Sequence, residues 1–167
     1  MDLRSDGYYE LIEPKAYGNY QPKNLFKSED DFQKATTLFR KGKLVAFELP
    51  VTINKKREGT SASCSFLVFL QKDDSIDRAD ETYIRDGLTI VGERHLQATG
   101  IRSLMLAEST ELTEFLGDAE NPSHTKWSSD SRHFEGKYSP GHVLLEYIKW
   151  APSRLANCLS KIEDEIL

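Results

Sequence analysis

The sequence predicts an α+β fold in which a small, mostly antiparallel sheet of about four strands is covered by helices. Between residues 43 and 109 apolar side chains alternate or run together over strand lengths, whereas residues 28–42 and 143–166 show helical spacing. The chain has 167 residues, the length of one ordinary domain with a small appendage. Strands followed by helices in this order are typical of a two-layer sandwich.

Residues 1–27 are predicted to form an extended aromatic arm or linker, and residues 28–167 a single α+β domain. The first segment shows neither a helical period nor a clear strand. It contains four tyrosines, Tyr8, Tyr9, Tyr17 and Tyr20. Because tyrosine rings bury apolar area and keep a polar end, we expect them to anchor this arm on the domain. The segment has the character of a connector, which favours one piece of a larger protein.

The first helix is predicted from Ser28 to Gly42. Ser28 is a good N-cap, and the acidic residues 29–31 follow it in the first turn, where the helix dipole favours negative charge. Apolar residues recur at helical spacing, at Phe32, Ala35, Leu38 and Phe39. Lys41 and Gly42 are the expected end of such a helix.

Four strands are predicted after this helix, over residues 43–53, 63–72, 81–92 and 101–109. The first two are joined by a polar turn, so a hairpin is the simplest pairing. Pro50 in the first strand indicates a strand edge or a bulge, because proline has no N–H to donate. The acidic residues 73–81 lack the central glycine and the spacing of a calcium loop, which favours a solvated loop.

The last part of the chain is predicted to be helical. A short helix begins at Thr110 and ends at Gly117, and the loop over residues 128–141 is too polar to enter the core. A helix follows, which Pro152 interrupts. An amphipathic stripe continues beyond it, at Leu155, Leu159, Ile162 and Ile166.

The bulk properties exclude several classes of protein. The net charge of −5 argues against broad electrostatic binding to nucleic acid, and no apolar run approaches the length that spans a membrane. No secretory signal opens the chain, so the sequence predicts a cytoplasmic protein in which Cys64 and Cys158 are free, buried thiols. The glycine-rich nucleotide loops, the serine nucleophile elbow and zinc-ligand spacing are all missing from the sequence.

The stretch "GDAENPSHTKW", residues 117–127, holds the candidate catalytic residues Asp118, Glu120 and His124. A carboxylate near an imidazole can perform acid–base chemistry or hold a divalent ion. Pro122 prevents a regular helix between Glu120 and His124, however, so they need not share a face. The favoured interpretation is a structural corner in which Asp118 and Asn121 bond turn amides and Trp127 fills the core.

Three basic residues are candidates to contact a nucleotide phosphate: Lys55, Lys56 and Arg85. The two lysines and Arg57 lie on the tip between the first two strands, whereas Arg85 lies within an apolar strand. A solvated turn and an ion pair of Arg85 with Asp86 or Glu108 are the alternatives, and the local pattern favours them.

Three motifs carry a resemblance to a known family: "YIRDGLTI" (residues 83–90), "LGDAENPSHTKW" (116–127) and, more weakly, "APSRL" (151–155). Over roughly residues 43–160 the chain resembles the C-terminal region of large bacterial ATP-binding proteins that begin with a GHKL-type ATPase domain. The resemblance implies a transducer-like two-layer unit that relays the nucleotide state to a partner and lends a basic residue to the γ-phosphate.

The chain departs from a complete GHKL enzyme, because it has no Asn-bearing helix, no "DxGxG" motif and no glycine-rich ATP lid. The resemblance therefore implies no cofactor for this chain alone, with ATP and Mg²⁺ held by an upstream ATPase domain. The partner it implies is that domain or another protein chain. Whether the chain is an enzyme stays open. The alternatives are a small metal-assisted hydrolase that uses Glu120 and His124, and a protein–protein interaction domain that docks through the aromatic arm. No metal site is assigned.

Overall fold

A computed structural model describes residues 5–18 and 20–160, which form a mixed six-stranded sheet with four helices. The predicted α+β class is confirmed. The strands are β1 (Gly7–Glu10), β2 (Val45–Lys55), β3 (Thr60–Lys72), β4 (Ala79–Arg85), β5 (Leu88–Thr89) and β6 (Ile101–Ala107). The helices are α1 (Pro22–Leu25), α2 (Glu29–Arg40), α3 (Thr110–Ala119) and α4 (His142–Ser160).

The strands lie in the order β1-β2-β3-β6-β4-β5, so the sheet has six strands where the sequence predicted about four. β1 is parallel to β2 and β4 is parallel to β6, while β2–β3, β3–β6 and β4–β5 are antiparallel. β2 and β3 form the predicted hairpin. β1 comes from the segment predicted as an arm, and its four residues pair with the start of β2. Pro50 lies beyond the last residue of β2 that pairs with β1, so its missing N–H leaves that pairing intact.

The prediction of one continuous strand over residues 81–92 is wrong. Asp86 and Gly87 have φ angles of 47° and 78°, as in a two-residue hairpin turn, and Leu88 returns to pair with Arg85. An Asp-Gly pair favours this turn because both residues tolerate the left-handed region better than most. β4 also begins earlier than expected, since Ala79 of the predicted acidic loop already pairs with β6. Arg85 is therefore the last residue of β4, at the point where the chain reverses.

The helices cover one face of the sheet. Along β2 the residues from Val45 to Ile53 alternate between full burial and partial exposure at most positions. The buried set shares one core cluster with the buried residues of α2, α3 and α4. Phe69 and Leu106 are also buried but lie outside that cluster, on the opposite face. The core therefore lies between the helices and one side of the sheet, as in a two-layer unit.

The prediction of α2 is confirmed, whereas the predicted end of α3 at Gly117 and the predicted interruption of α4 at Pro152 are wrong. The Ser28 hydroxyl accepts the Asp31 amide at 3.1 Å and caps α2, which ends at Arg40. Gly117 does not end α3, which continues to Ala119, and α4 runs through Pro152 without interruption. A proline inside a helix costs about 3 kcal/mol. Burial of most of α4 offsets that cost.

The loop over residues 128–141 enters the core, although its composition predicted otherwise. Phe134 and Tyr138 are 3% and 5% exposed, and both rings pack on Phe115. In the predicted arm, Tyr17 and Tyr20 pack on Tyr147 of α4.

Cys64 and Cys158 form no disulfide, as predicted. Cys158 is buried, but Cys64 is only half-buried, so the prediction that both thiols are buried is wrong for Cys64. Ile162 and Ile166 of the predicted stripe lie outside the described residues. Within the described residues, no helix combines the length and the apolar character needed to cross a bilayer.

Candidate functional site

Residues 120–127 form a closed turn at the end of α3. A β-bridge joins Glu120 to Trp127, and the Asn121 side-chain oxygen accepts the Thr125 amide at 2.8 Å. The His124 amide donates to the Asn121 carbonyl at 3.0 Å, and His124 has a φ of 56°. The predicted role of Asn121 in bonding turn amides is confirmed. This turn folds the chain back so that Glu120, His124 and Trp127 meet.

Glu120 lies at the centre of this turn with a side chain that is only 2% exposed. The Arg85 guanidinium contacts both of its oxygens, with Nη2 donating to Oε2 at 2.9 Å and Nε donating to Oε1. Trp127 Nε1 donates to Oε1 at 3.3 Å, and His124 Nδ1 lies 2.8 Å from Oε2. Four contacts therefore use both carboxylate oxygens. We call Arg85, Glu120, His124 and Trp127 the Glu120 corner.

The Arg85 guanidinium packs beside Gly117 of α3. A Cβ atom at residue 117 would lie 3.6 Å from the guanidinium carbon, so the side chain of Arg85 packs against α3. The predicted partners of Arg85, Asp86 and Glu108, are not the ones that it uses. Glu120 is its partner instead, because the hairpin turn after β4 brings Arg85 to the end of α3.

Glu93 is a second buried carboxylate beside the corner, and sequence reasoning missed it. Its Oε2 accepts the Trp127 amide at 2.9 Å, and its Oε1 lies 2.8 Å from His95 Nε2 and 3.7 Å from Lys149 Nζ. Lys149 also donates to the Trp127 carbonyl at 3.0 Å. The backbone of Trp127 is therefore held at both its amide and its carbonyl. The polar loop "VGERH" carries no local signal for this role.

Both buried carboxylates stay ionised. Burial raises the pKa of Glu120, but hydrogen bonds from Arg85 and His124 outweigh it, and the net pKa lies below the ordinary value of 4.5. Burial likewise raises the pKa of Glu93, and the contacts with His95, the Trp127 amide and Lys149 bring it below the ordinary value. An ionised carboxylate only accepts hydrogen bonds, so Nδ1 of His124 carries a proton and donates to Glu120.

Asp118 does not join this group. Its Oδ2 accepts from Lys137 Nζ at 2.8 Å and from the Tyr138 hydroxyl at 2.6 Å. The prediction that Asp118 bonds turn amides is wrong, because α3 continues through it and directs it to the loop at 137–138. The structure therefore brings Glu120 and His124 together and leaves Asp118 apart. Among the described residues, no group of three or more His, Cys, Asp or Glu side chains is arranged to hold a metal ion.

His124 is the exposed member of the corner. Its side chain is 59% exposed, and Glu120 orients the ring through Nδ1. In the neutral ring, Nε2 is then a hydrogen-bond acceptor.

A basic cleft of about 380 Å³ lies between the β2–β3 turn and the 131–139 loop. Lys55 and Arg57 line one wall, and Arg132, His133 and Lys137 line the other. Two backbone hydrogen bonds of 3.0 Å join the walls, from the Lys56 amide to the carbonyl of residue 137 and from the residue 139 amide to the carbonyl of residue 54.

The three basic phosphate candidates differ in their partners. Arg85 is 18% exposed and bound to Glu120. The Lys55 ammonium donates to both oxygens of Glu114, at 3.0 and 3.2 Å. Lys56 is exposed, and within the described part of the chain its ammonium has no ion pair.

Comparisons with known proteins find no match for this chain. No family model, no curated protein and no solved structure matches it.

Proposed function

We propose that this chain is a transducer-like regulatory module of a larger, cytoplasmic bacterial ATPase of the GHKL type, with no catalytic step of its own. The contacts of Glu120 carry this proposal. Its side chain is 2% exposed and both oxygens are bound by Arg85, His124 and Trp127. A general base or metal ligand needs an oxygen that can reach a substrate or an ion. The corner is therefore better suited to hold a loop than to react.

The two-layer architecture supports the same proposal. A transducer passes on a movement, and a sheet covered on one face by packed helices moves as a rigid unit. α2, α3 and α4 share one core cluster with the sheet, and the corner fixes the end of α3 against the end of β4. The partner in this proposal is the upstream ATPase domain, which holds ATP and Mg²⁺.

Lys56 is the proposed contact to the nucleotide phosphate. Arg85 and Lys55 already bind Glu120 and Glu114, and releasing Arg85 would leave a buried carboxylate without its main partner. Lys56 lies on the tip of the β2–β3 hairpin and is exposed, so its flexible side chain can reach a group outside this chain.

A titration with a fluorescent, non-hydrolysable ATP analogue tests the proposal. The analogue is added to this chain alone and to the chain joined to any protein sequence encoded directly before it. We expect binding with a Kd below about 10 μM only in the second case, and we expect Lys56→Ala to slow ATP hydrolysis there while analogue binding is kept. Lys43→Ala, which removes another exposed lysine, is the matched control. Binding by the chain alone with a Kd below about 10 μM would overturn the proposal.

A second candidate function rests on the exposed ring of His124. A mostly exposed imidazole that a carboxylate orients is the arrangement of a general base, so a small hydrolase that uses Glu120 and His124 is the alternative. Hydrolysis of a chromogenic phosphate ester, measured with and without added Zn²⁺, tests it. Activity that His124→Ala abolishes and His133→Ala keeps would favour this candidate over the regulatory module.

A further inference from the structure

We infer that the basic cleft binds a phosphate group with two or more negative charges, such as pyrophosphate or the terminal phosphates of a nucleotide. Arg57 and Arg132, on its two walls, are the residues that carry the inference. The inference does not depend on the proposed function. The phosphate contact in that proposal is made by Lys56, which does not line the cleft.

The two arginines have no carboxylate partner. Neither guanidinium forms an ion pair within the described residues, although acidic residues outnumber basic ones, 27 to 22, in the whole chain. Arg57 and Arg132 are therefore two exposed cations without an ion pair in the described residues that line the same cleft.

Backbone contacts hold the two walls of the cleft together. The two walls are joined by the hydrogen bonds of Lys56 and Ser139 and by a β-bridge between Lys55 and Tyr138. Behind them, Tyr138 and Phe134 pack on Phe115 in the core. The cleft therefore exists before a ligand binds, which lowers the entropic cost of binding.

The two lysines of the cleft contribute hydrogen-bond donors more than net charge. Lys137 binds Asp118 at 2.8 Å and Glu114 at 3.2 Å, and Lys55 binds Glu114. These carboxylates offset both ammonium charges, and the contact with Asp118 first and Glu114 next raises the pKa of Lys137, so its ammonium stays protonated. An ammonium has three N–H donors, so each lysine can still donate to a ligand.

The shape and the charges of the cleft favour a phosphate over a carboxylate. A tetrahedral phosphate presents oxygens in several directions and can be reached from both walls, whereas the two oxygens of a carboxylate match a single arginine fork. The volume of about 380 Å³ lies in the range of small-ligand pockets. Glu58 and Glu135 also line the cleft and repel anions, so we expect weak binding, with a Kd near 1 mM.

An NMR titration of this chain with pyrophosphate at constant ionic strength tests the inference. We expect saturable shifts of the Gly59 and Gly136 amides, which report on the two walls. Replacing both arginines, Arg57→Ala with Arg132→Ala, should weaken binding by at least about tenfold, because two charge-assisted contacts are lost. The control pair Arg78→Ala with Arg94→Ala removes the same charge from exposed positions elsewhere and should change the Kd less than about twofold. Glu135→Gln should tighten binding.

Three results would overturn the inference: no saturable shift at Gly136, equal weakening by the two double variants, or equally tight binding of a dicarboxylate. ATP and orthophosphate are titrated in parallel to identify the source of the phosphate. ATP that binds more tightly than pyrophosphate assigns the cleft to a nucleotide, and equal affinities assign it to the phosphate group alone; either result supports the inference. Failure here leaves the test of the proposed ATPase module intact, because that test depends on Lys56.

Discussion

The Glu120 corner and the basic cleft are both polar regions, but they use charge in opposite ways. In the corner, a buried carboxylate meets one guanidinium, one imidazole and one indole, and both its oxygens are bound. In the cleft, Arg57 and Arg132 are exposed, and neither has a carboxylate partner in the part of the chain that the structure describes. A saturated, buried ion pair stabilises one conformation, whereas unpaired exposed cations are available to a ligand.

This difference separates residues that resemble a site in the sequence from residues that are free to act as one. The "GDAENPSHTKW" stretch is the more unusual in sequence, because it combines acidic, imidazole and indole groups around a proline. His124 and Trp127 both bind Glu120, however, and of these three side chains only His124 is mainly exposed. The cleft is ordinary in sequence, a basic turn and a polar loop, yet its two arginines form no ion pair within the described residues. We therefore expect substitutions in the corner to change the free energy of unfolding strongly and substitutions in the cleft to change it little.

The largest effect is expected at Glu120. Glu120→Gln keeps the shape of the side chain but removes its charge, which leaves the Arg85 guanidinium, only 18% exposed, without a counter-charge. We expect the free energy of unfolding to fall by about 3 kcal/mol, as for other broken buried ion pairs. Urea unfolding followed by tryptophan fluorescence measures it, since Trp127 lies in the same corner.

Asp77→Asn is the matched control, because it makes the same carboxylate-to-amide change at an exposed aspartate without an ion pair in the described part of the chain. It should change the stability by less than about 0.5 kcal/mol. Equal effects of the two variants would show that the corner contributes no more than an exposed charge does.

The next largest effect is expected at Gly92, which lies against the turn of the corner. A Cβ atom there would come within 2.4 Å of the Thr125 carbonyl oxygen, which belongs to the backbone and cannot move aside cheaply. Gly92→Ala should therefore lower the free energy of unfolding by about 2 kcal/mol. Gly18→Ala is the control, because a Cβ at that residue would have no neighbour within 4 Å. A Gly92→Ala protein as stable as the control would show that the turn at Thr125 can shift to make room for the Cβ atom.

The elements with a strong local pattern could be predicted from sequence. α2 has its Ser28 cap and its helical spacing, the β2–β3 hairpin has its alternation, and Trp127 is the core residue that its size suggests, at 1% exposure. β1 has no such pattern, because its four residues become a strand only by pairing with β2. The Asp86–Gly87 turn carried a readable signal, but the apolar residues on both sides of it favoured a single strand.

The candidate site was predicted less well, because its contacts join residues that are far apart in the chain. Arg85 and Glu120 are separated by 35 positions, and Glu93 and the Trp127 amide by 34. No spacing rule connects such pairs until the turn after β4 and the end of α3 are known. Pro122 was correctly taken to exclude a helix, but a tight turn still brings Glu120 and His124 within 2.8 Å.

The pH dependence of stability gives a smaller test of the corner. The pKa of Glu120 in the folded protein lies below its ordinary value of 4.5, so the unfolded chain binds the proton more readily. The stabilisation is therefore present above about pH 4.5 and is lost as the pH falls through the lower folded pKa. Between about pH 6 and pH 3, the free energy of unfolding should fall less steeply for Glu120→Gln than for the unchanged protein or Asp77→Asn. Parallel curves for all three proteins would contradict the assignment.

The smallest effect on stability is expected in the cleft. Arg57 and Arg132 are exposed and form no ion pair within the described residues, so their joint replacement by alanine removes no contact that holds the fold. The free energy of unfolding should change by less than about 0.5 kcal/mol, while the affinity for pyrophosphate falls. Replacing a residue that stabilises the structure changes the free energy of unfolding, whereas replacing a residue that binds the ligand changes the affinity for pyrophosphate. If the double variant unfolds as readily as Glu120→Gln, the arginines belong to the architecture, and the contrast between the two regions is lost.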